Sequence, residues 1–164
     1  MLRPLVVSMA IAAAPACCAA QADVRVEPSH LQGPRQLEEQ TQSAAVRNYL
    51  QAWQTLGTAL DRNDIALLDK DFVGTARDKL AETIQQQAAL GVHTRYQDKS
   101  HDIQIVFSSP EGLSIELTDD VQYDVQMLDH DKLQTTQQVR ARYIVVLTPA
   151  EVRWRVRVFQ AQPE

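Results

Sequence analysis

Five bulky side chains with polar tips, Tyr49, Trp53, Tyr123, Tyr143 and Trp154, are spread along the sequence. Such residues suit a cavity that needs an apolar body and a few orienting donors. They equally suit a packed layer between a helix and a sheet. Tyr49 and Trp53 lie one helical turn apart, and the other three fall on inward-phase positions of three different strands. They form the expected lining of a ligand cavity. Support for bond-making chemistry is thinner. His30, His93, His101 and His130 are scattered over linker, loop and strand-edge segments. Asp129-His130-Asp131 has the residue types of a cation site, but an Asp-rich hairpin turn is ordinary turn chemistry. No spacing sets three ligands together, so no metal is expected. Ser108-Ser109 lacks a Gly-x-Ser-x-Gly context, and both cysteines fall in the N-terminal segment. Nucleophilic hydrolysis is therefore unsupported. There is no phosphate loop. We assign no catalytic residue and no cofactor.

A second constellation is basic. Arg140, Arg142, Arg153, Arg155 and Arg157 occupy one face of the stretch 139–159, whose other face carries Val139, Ala141, Tyr143, Val145, Leu147, Val152, Trp154, Val156 and Val158. This period-two alternation predicts two half-buried antiparallel strands joined at Thr148-Pro149-Ala150-Glu151. Closing there sets Leu147 opposite Val152, Val145 opposite Trp154 and Tyr143 opposite Val156. It also puts Arg142 opposite Arg157, and the preceding hairpin puts Asp120 opposite Arg140. The arginines read either as a protein-binding strip or as a solvated face with cross-strand ion pairs.

The elements that must position these residues follow in order. Residues 23–35 hold Pro28, Gly33 and Pro34 without periodicity and read as a flexible linker. From Gln36 to about Leu60, Val46, Tyr49, Leu50, Trp53, Leu56 and Leu60 recur at helical spacing, giving a long amphipathic helix. Asp61-Arg62-Asn63-Asp64 ends it. Asn63 or Asp64 caps a short helix to about Phe72. Thr75-Ala76-Arg77-Asp78 matches the capping box of a third helix, with Leu80, Ile84 and Ala88 inward and Gly91 as its stop. The period then changes to two. Ile103, Ile105 and Phe107 make a strand, and Leu113 to Met127 make another, with a bend or bulge at Asp119-Asp120. Helices followed by antiparallel strands indicate an α+β domain over residues 36–161.

The N-terminus reads as a signal peptide, residues 1–22: a short basic start, an apolar run over residues 5–14, and Ala20-Gln21-Ala22 as the cleavage site. The apolar run is too short to span a membrane, and the mature chain has no cysteine. Lipid attachment at Cys17 or Cys18 is disfavoured by the poor lipobox Ala14-Pro15-Ala16. A formal net charge of -5 argues against nucleic acid and against anionic membrane once the signal is removed.

The long helix AVRNYLQAWQTL, the Arg62-Asn63-Asp64 break followed by DIALLDKDFVG, and the ending RYIVVLTPAEVRWRVRVF together resemble the NTF2-like superfamily, with its SnoaL-like and ketosteroid-isomerase-like branches. The resemblance implies a cone-shaped, cystatin-like domain in which a long helix packs on a twisted four-stranded antiparallel sheet. It matches Tyr49 to the helix tyrosine of the isomerase branch. It finds no acid on the inward positions of the last two strands and no identifiable base. The expected function is therefore an exported, non-catalytic module that binds a small apolar ligand or a protein partner. A SnoaL-like isomerase, cyclase or hydrolase acting on an apolar carbonyl compound is the alternative, and a structural homodimer through the basic sheet face is a third.

Overall fold

The computed structural model describes residues 21–29, 31 and 37–162. Most of the expected signal segment, with Cys17 and Cys18, lies outside the described residues, as does His30. The elements run β1 (Asp23–Val26), α1 (Glu39–Arg62), a 3₁₀ turn (Ile65–Lys70), α2 (Gly74–Ala89), β2 (Val92–Ser108), β3 (Ile115–Asp129), β4 (Lys132–Pro149) and β5 (Trp154–Gln162). They form one sheet in the order β1-β2-β3-β4-β5.

α1 forms as its periodicity predicts. Its stripe of Val46, Tyr49, Trp53, Leu56 and Leu60 is buried, and its 24 residues run about 36 Å across the sheet. Asn63 ends it in the left-handed region at φ 52, a conformation that Asn tolerates better than most residues. The Asp64 side chain caps the 3₁₀ turn by accepting from the Ala66 N–H at 3.0 Å. Gly91, at φ 72, stops α2 as expected. The capping box does not form. α2 begins at Gly74, and the Thr75 hydroxyl donates to the Arg157 carbonyl at 3.1 Å, tying the helix to β5 instead. Ala88 is exposed, and Gln87 takes the inward place. Its amide donates to the Leu60 carbonyl and the Asn63 side chain.

The sheet departs from the sequence reading in three places. Residues 23–26 are a strand, not linker. They pair in parallel with β2 from Asp23↔Ser100 to Val26↔Ile103, so the sheet has five strands. Two valines are too short a run to show period two; pairing to the free edge of β2 makes this a strand. β2 begins at Val92, well before Ile103; Val92 and Tyr96 are the only apolar residues of its first half, which takes its conformation from pairing with β3. At the last hairpin, Val152 stands 87% exposed in the turn, where the Ala150 N–H donates to the Arg153 carbonyl at 2.7 Å. The longer turn and a register shift after Val146 set Leu147 opposite Val156, Val145 opposite Phe159 and Tyr143 opposite Ala161. Phe159, not Val158, therefore packs against the core.

The 3₁₀ turn is anchored to β5 through Asp71. Its buried carboxylate accepts from the Thr55 hydroxyl at 2.7 Å and from Arg153 at 3.1 Å. Its backbone carbonyl accepts from the Val156 N–H at 2.8 Å. Asp71→Ala strands both side-chain donors and should lower stability by about 2–3 kcal/mol in denaturant melts, against about 0.5 kcal/mol or less for an exposed acid such as Asp78.

Candidate functional site

Four of the five cavity candidates converge. Tyr49, Trp53 and Tyr123 are buried, and Tyr143 is half-buried against the same core. Trp53 is the centre of the group. Its ring lies edge-on to His101 at 5.1 Å, Tyr123 at 5.3 Å and Tyr143 at 5.6 Å between centroids, with Tyr96 and Phe159 at 5.9 and 6.0 Å. Edge-to-face contacts at these distances are favourable close packing. Tyr49, Tyr123, Tyr143 and Phe159 thus fill the space between helix and sheet, while Trp53 and Tyr96 also border an outer recess. Trp154 does not join them. Its backbone N–H donates to the Asn48 side chain at 2.9 Å, and it borders a separate surface recess with Leu37, Glu38, Thr41 and Pro110.

Behind the rings lies a polar network that the sequence reading missed. Asp119 on β3 is fully buried, and its Oδ2 accepts from the Tyr49 hydroxyl at 2.6 Å and contacts His101 Nδ1 at 2.7 Å. With Asp119 ionised, Nδ1 must carry the proton it shares, which leaves Nε2 as the basic nitrogen of the ring. A carboxylate removed from water needs such donors, or its desolvation would go uncompensated. The signal was present in the sequence. Asp119 falls in phase with Ile115, Leu117, Val121 and Tyr123, and His101 with Ile103 and Ile105. Reading Asp119-Asp120 as a bend broke that phase. In the structure β3 pairs without interruption there, and the nearby irregularities lie on β2, after Asp98 and after Ile105. β4 and β5 supply no inward acid, as expected; the acid comes from β3.

The phenols respond to this burial. Tyr49 is held well above its usual pKa of 10.0, first by desolvation and then by the charge and hydrogen bond of Asp119. Tyr96 and Tyr123 are pushed up mainly by burial, as is Tyr143. The Tyr123 and Tyr143 hydroxyls share a hydrogen bond of 2.9 Å. Trp53 Nε1 donates to Asp98 at 2.8 Å, so α1 is joined to both β2 and β3 by polar contacts.

Recesses open outside this interior, along the flank of α1. One, of about 760 Å³, is lined by Trp53, Tyr96, Asp98, Lys99, His101 and Asp124, among others. A second, of about 540 Å³, lies between α1 and β1, with Val24, Val26, Val46 and Leu50 as its apolar lining and Arg47 at its border. Both include Val24, Leu50 and Gln54, so they adjoin. His101 borders the larger recess but is itself only 3% exposed, so it belongs to the buried network.

The five arginines do not form one strip. Arg142 lies opposite Asp120, not Arg157, and binds both carboxylate oxygens of Asp120. Its other neighbour is Gln162. Arg140 is opposite Gln122. Arg153 is spent on Asp71, and Arg155 donates to the Asp69 and Phe72 carbonyls. The arginine face is divided between cross-strand pairing and anchoring of the 3₁₀ turn. Among the described residues, no group of three or more His, Cys, Asp or Glu side chains could hold a metal ion, and no helix is long and apolar enough to cross a membrane.

No protein-family profile matches the sequence, and no curated protein matches it. Solved structures do. The intermembrane space region of the chloroplast protein ARC6 aligns at a TM-score of 0.65 with 13% identity, covering 79% of this chain and 100% of that one. A proposed scytalone dehydratase from Novosphingobium aromaticivorans aligns at 0.52 with 13% identity, covering 77% and 89%. A protein from Catenulispora acidiphila aligns at 0.53 with 14% identity, covering 76% and 94%. The chain has the NTF2-like fold.

All four tyrosines of the chain sit in this one layer with raised pKa values. The unfolded chain ionises its phenols near pH 10 and the folded chain does not. Their contribution to stability is thus complete below pH 10 and is lost as pH rises above it. Alkaline titration followed by phenolate absorbance should show no ionisation at pH 10 while the fold persists, then a steep rise with unfolding. Phenols titrating near pH 10 in folded protein would contradict the packing described.

Proposed function

We propose that this chain is an exported, non-catalytic binding module of the NTF2-like fold, whose ligand site is the groove along α1 and not the interior of the cone. The observation that carries this reading is the filled interior. Trp53 and its ring neighbours leave the space under the sheet to side chains, while Val24 and Val26 stand 42% and 52% exposed beside Val46 and Leu50. Exposed valines on a concave surface fit a small, elongated apolar ligand. Arg47 borders the groove and suits a polar or anionic end, whereas Lys99 is paired with Asp124 at 2.6 Å. Support for export comes from the signal-like N-terminus together with the start of β1 at Asp23. Cleavage after Ala22 would keep the sheet whole and remove Gln21 and Ala22 from the groove wall.

One observation favours a second reading, an acid–base enzyme acting on an apolar carbonyl compound. His101 lines the groove with Asp119 behind its Nδ1, an arrangement that orients an imidazole to accept a proton at Nε2. One neighbour in fold is described as a dehydratase. Asp119, Tyr49 and His101 are all buried, so any such chemistry requires the recess to open further at His101.

The exported protein should begin at Asp23 on N-terminal sequencing and should bind an apolar fluorescent dye. Leu50→Asp puts a charge in the groove and should weaken dye binding by at least about tenfold with the fold unchanged by circular dichroism. No dye binding by the wild type, or equal binding by the variant, would refute the groove. A co-purified compound that the wild type converts and His101→Gln does not would favour the enzyme.

A further inference from the structure

We propose that His93 is a proton-operated latch, which ties the tip of the β3–β4 hairpin to the C-terminal end of α1 and releases it as pH rises. His93 stands at the start of β2, opposite Leu128. Its side chain is only 13% exposed and lies between two carboxylates. Nδ1 is 3.0 Å from Asp61 Oδ1 on α1, and Nε2 is 3.3 Å from Asp131 Oδ1 at the tip. Nε2 is shielded from water and makes no hydrogen bond among the described residues, so its contact with Asp131 is electrostatic alone. Only the imidazolium carries a proton on both nitrogens. Both contacts are therefore favourable only with the charged ring. When the ring is neutral, the hydrogen bond to Asp61 keeps the remaining proton on Nδ1. The lone pair of Nε2 then faces the Asp131 carboxylate with no water between them, and the tip loses its hold.

The backbone of the tip makes that hold matter. His130 and Asp131 are the two central residues of a turn closed by Asp129 and Lys132, and both are left-handed, at φ 47 and 62. Glycine takes such positions without steric cost, whereas residues with a side chain do not. Here side-chain contacts support them: Asp131 reaches His93, and His130 Nδ1 meets Asp129 Oδ1. The Asp131 side chain is otherwise in solvent, 94% exposed. The remaining charged groups do not reverse the sign. Arg95 of β2 shares Asp61 at 3.2 Å and opposes a positive ring, but two acids face the ring directly. Arg62 and Asp64 follow Asp61 at the end of α1, and Asp129, His130 and Lys132 surround Asp131 in the tip. The last turn of α2, Gln86-Gln87-Ala88-Ala89, brings no charge. Asp61 and Arg95 also border a recess of about 360 Å³ beside Trp53 and Tyr96. Loss of the His93 proton therefore changes the charge at the rim of that recess as well as freeing the tip.

Two-dimensional NMR from about pH 5 to about pH 8, the range in which imidazole ordinarily titrates, tests the latch. Both ring nitrogens of His93 should be protonated at the acid end. Amide exchange from Asp129 to Lys132, corrected for its intrinsic pH dependence, should quicken by at least about tenfold over the same pH step that removes the ring proton. His93→Gln and Asp131→Asn should each leave the tip exchanging fast at both ends of the range, with circular dichroism unchanged. His130→Gln separates the exposed histidine from the enclosed one, and the step should survive it. A tip that exchanges alike at the two ends of the range in the wild type overturns the latch. So does a step that survives His93→Gln, or one that only His130→Gln removes.

Discussion

The arrangement depends on how one helix is held across the sheet. α1 presents Trp53 at the middle of its buried stripe, and five aromatic rings from β2, β3, β4 and β5 close around it. Burying so large a ring is among the most favourable single contributions available to a domain of this size. Its indole N–H needs a partner, and Asp98 on β2 supplies one. Once that ring is seated, the cone interior is occupied. Concave surface is left outside, including the groove along the flank of α1.

The second constraint is electrostatic. Asp119 is buried at the level of the core and draws Tyr49 of α1 and His101 of β2 to one oxygen. An unpaired carboxylate there would be strongly destabilising, so the three residues are obliged to stay together. This makes the network a register pin between helix and sheet whatever else it does. With Asp119 ionised, it also places the shared proton on Nδ1 of His101. Structural and chemical roles thus meet in one side chain, and for this reason the enzyme reading rests on His101 alone and not on Tyr49.

Much of the fold was legible in the residues. The period of α1, the Asn63-Asp64 break, the Gly91 stop and the alternation of β3 and β4 each depend on local pattern, and each forms. What was hidden depends on partners. β1 is too short and the first half of β2 too polar to show a period, so pairing to a neighbour decides their conformation. The β4–β5 register followed a turn longer by local hydrogen bonding than Pro149 alone suggests. Asp119 was concealed by type: a charged residue in an apolar phase reads as an interruption unless its partners, distant in the chain, are known. Tyr49, Trp53, Tyr123 and Tyr143 were correctly placed inward, but composition does not distinguish rings that line a space from rings that fill it. Trp154 was assigned to the same face; it packs at the margin of the core but makes no contact with the ring cluster around Trp53.

The central claim is that the interior is filled and the recognition surface lies outside it. Chemical-shift mapping with a short-chain alkyl carboxylate, titrated into the mature protein, tests this most directly. A filled interior predicts shifts at Val24, Val26, Val46 and Leu50 that saturate together, with the Tyr123 and Tyr143 ring signals unmoved. Saturable shifts at Tyr49, Tyr123 and Tyr143, with none along β1, would place the ligand inside the cone and contradict it.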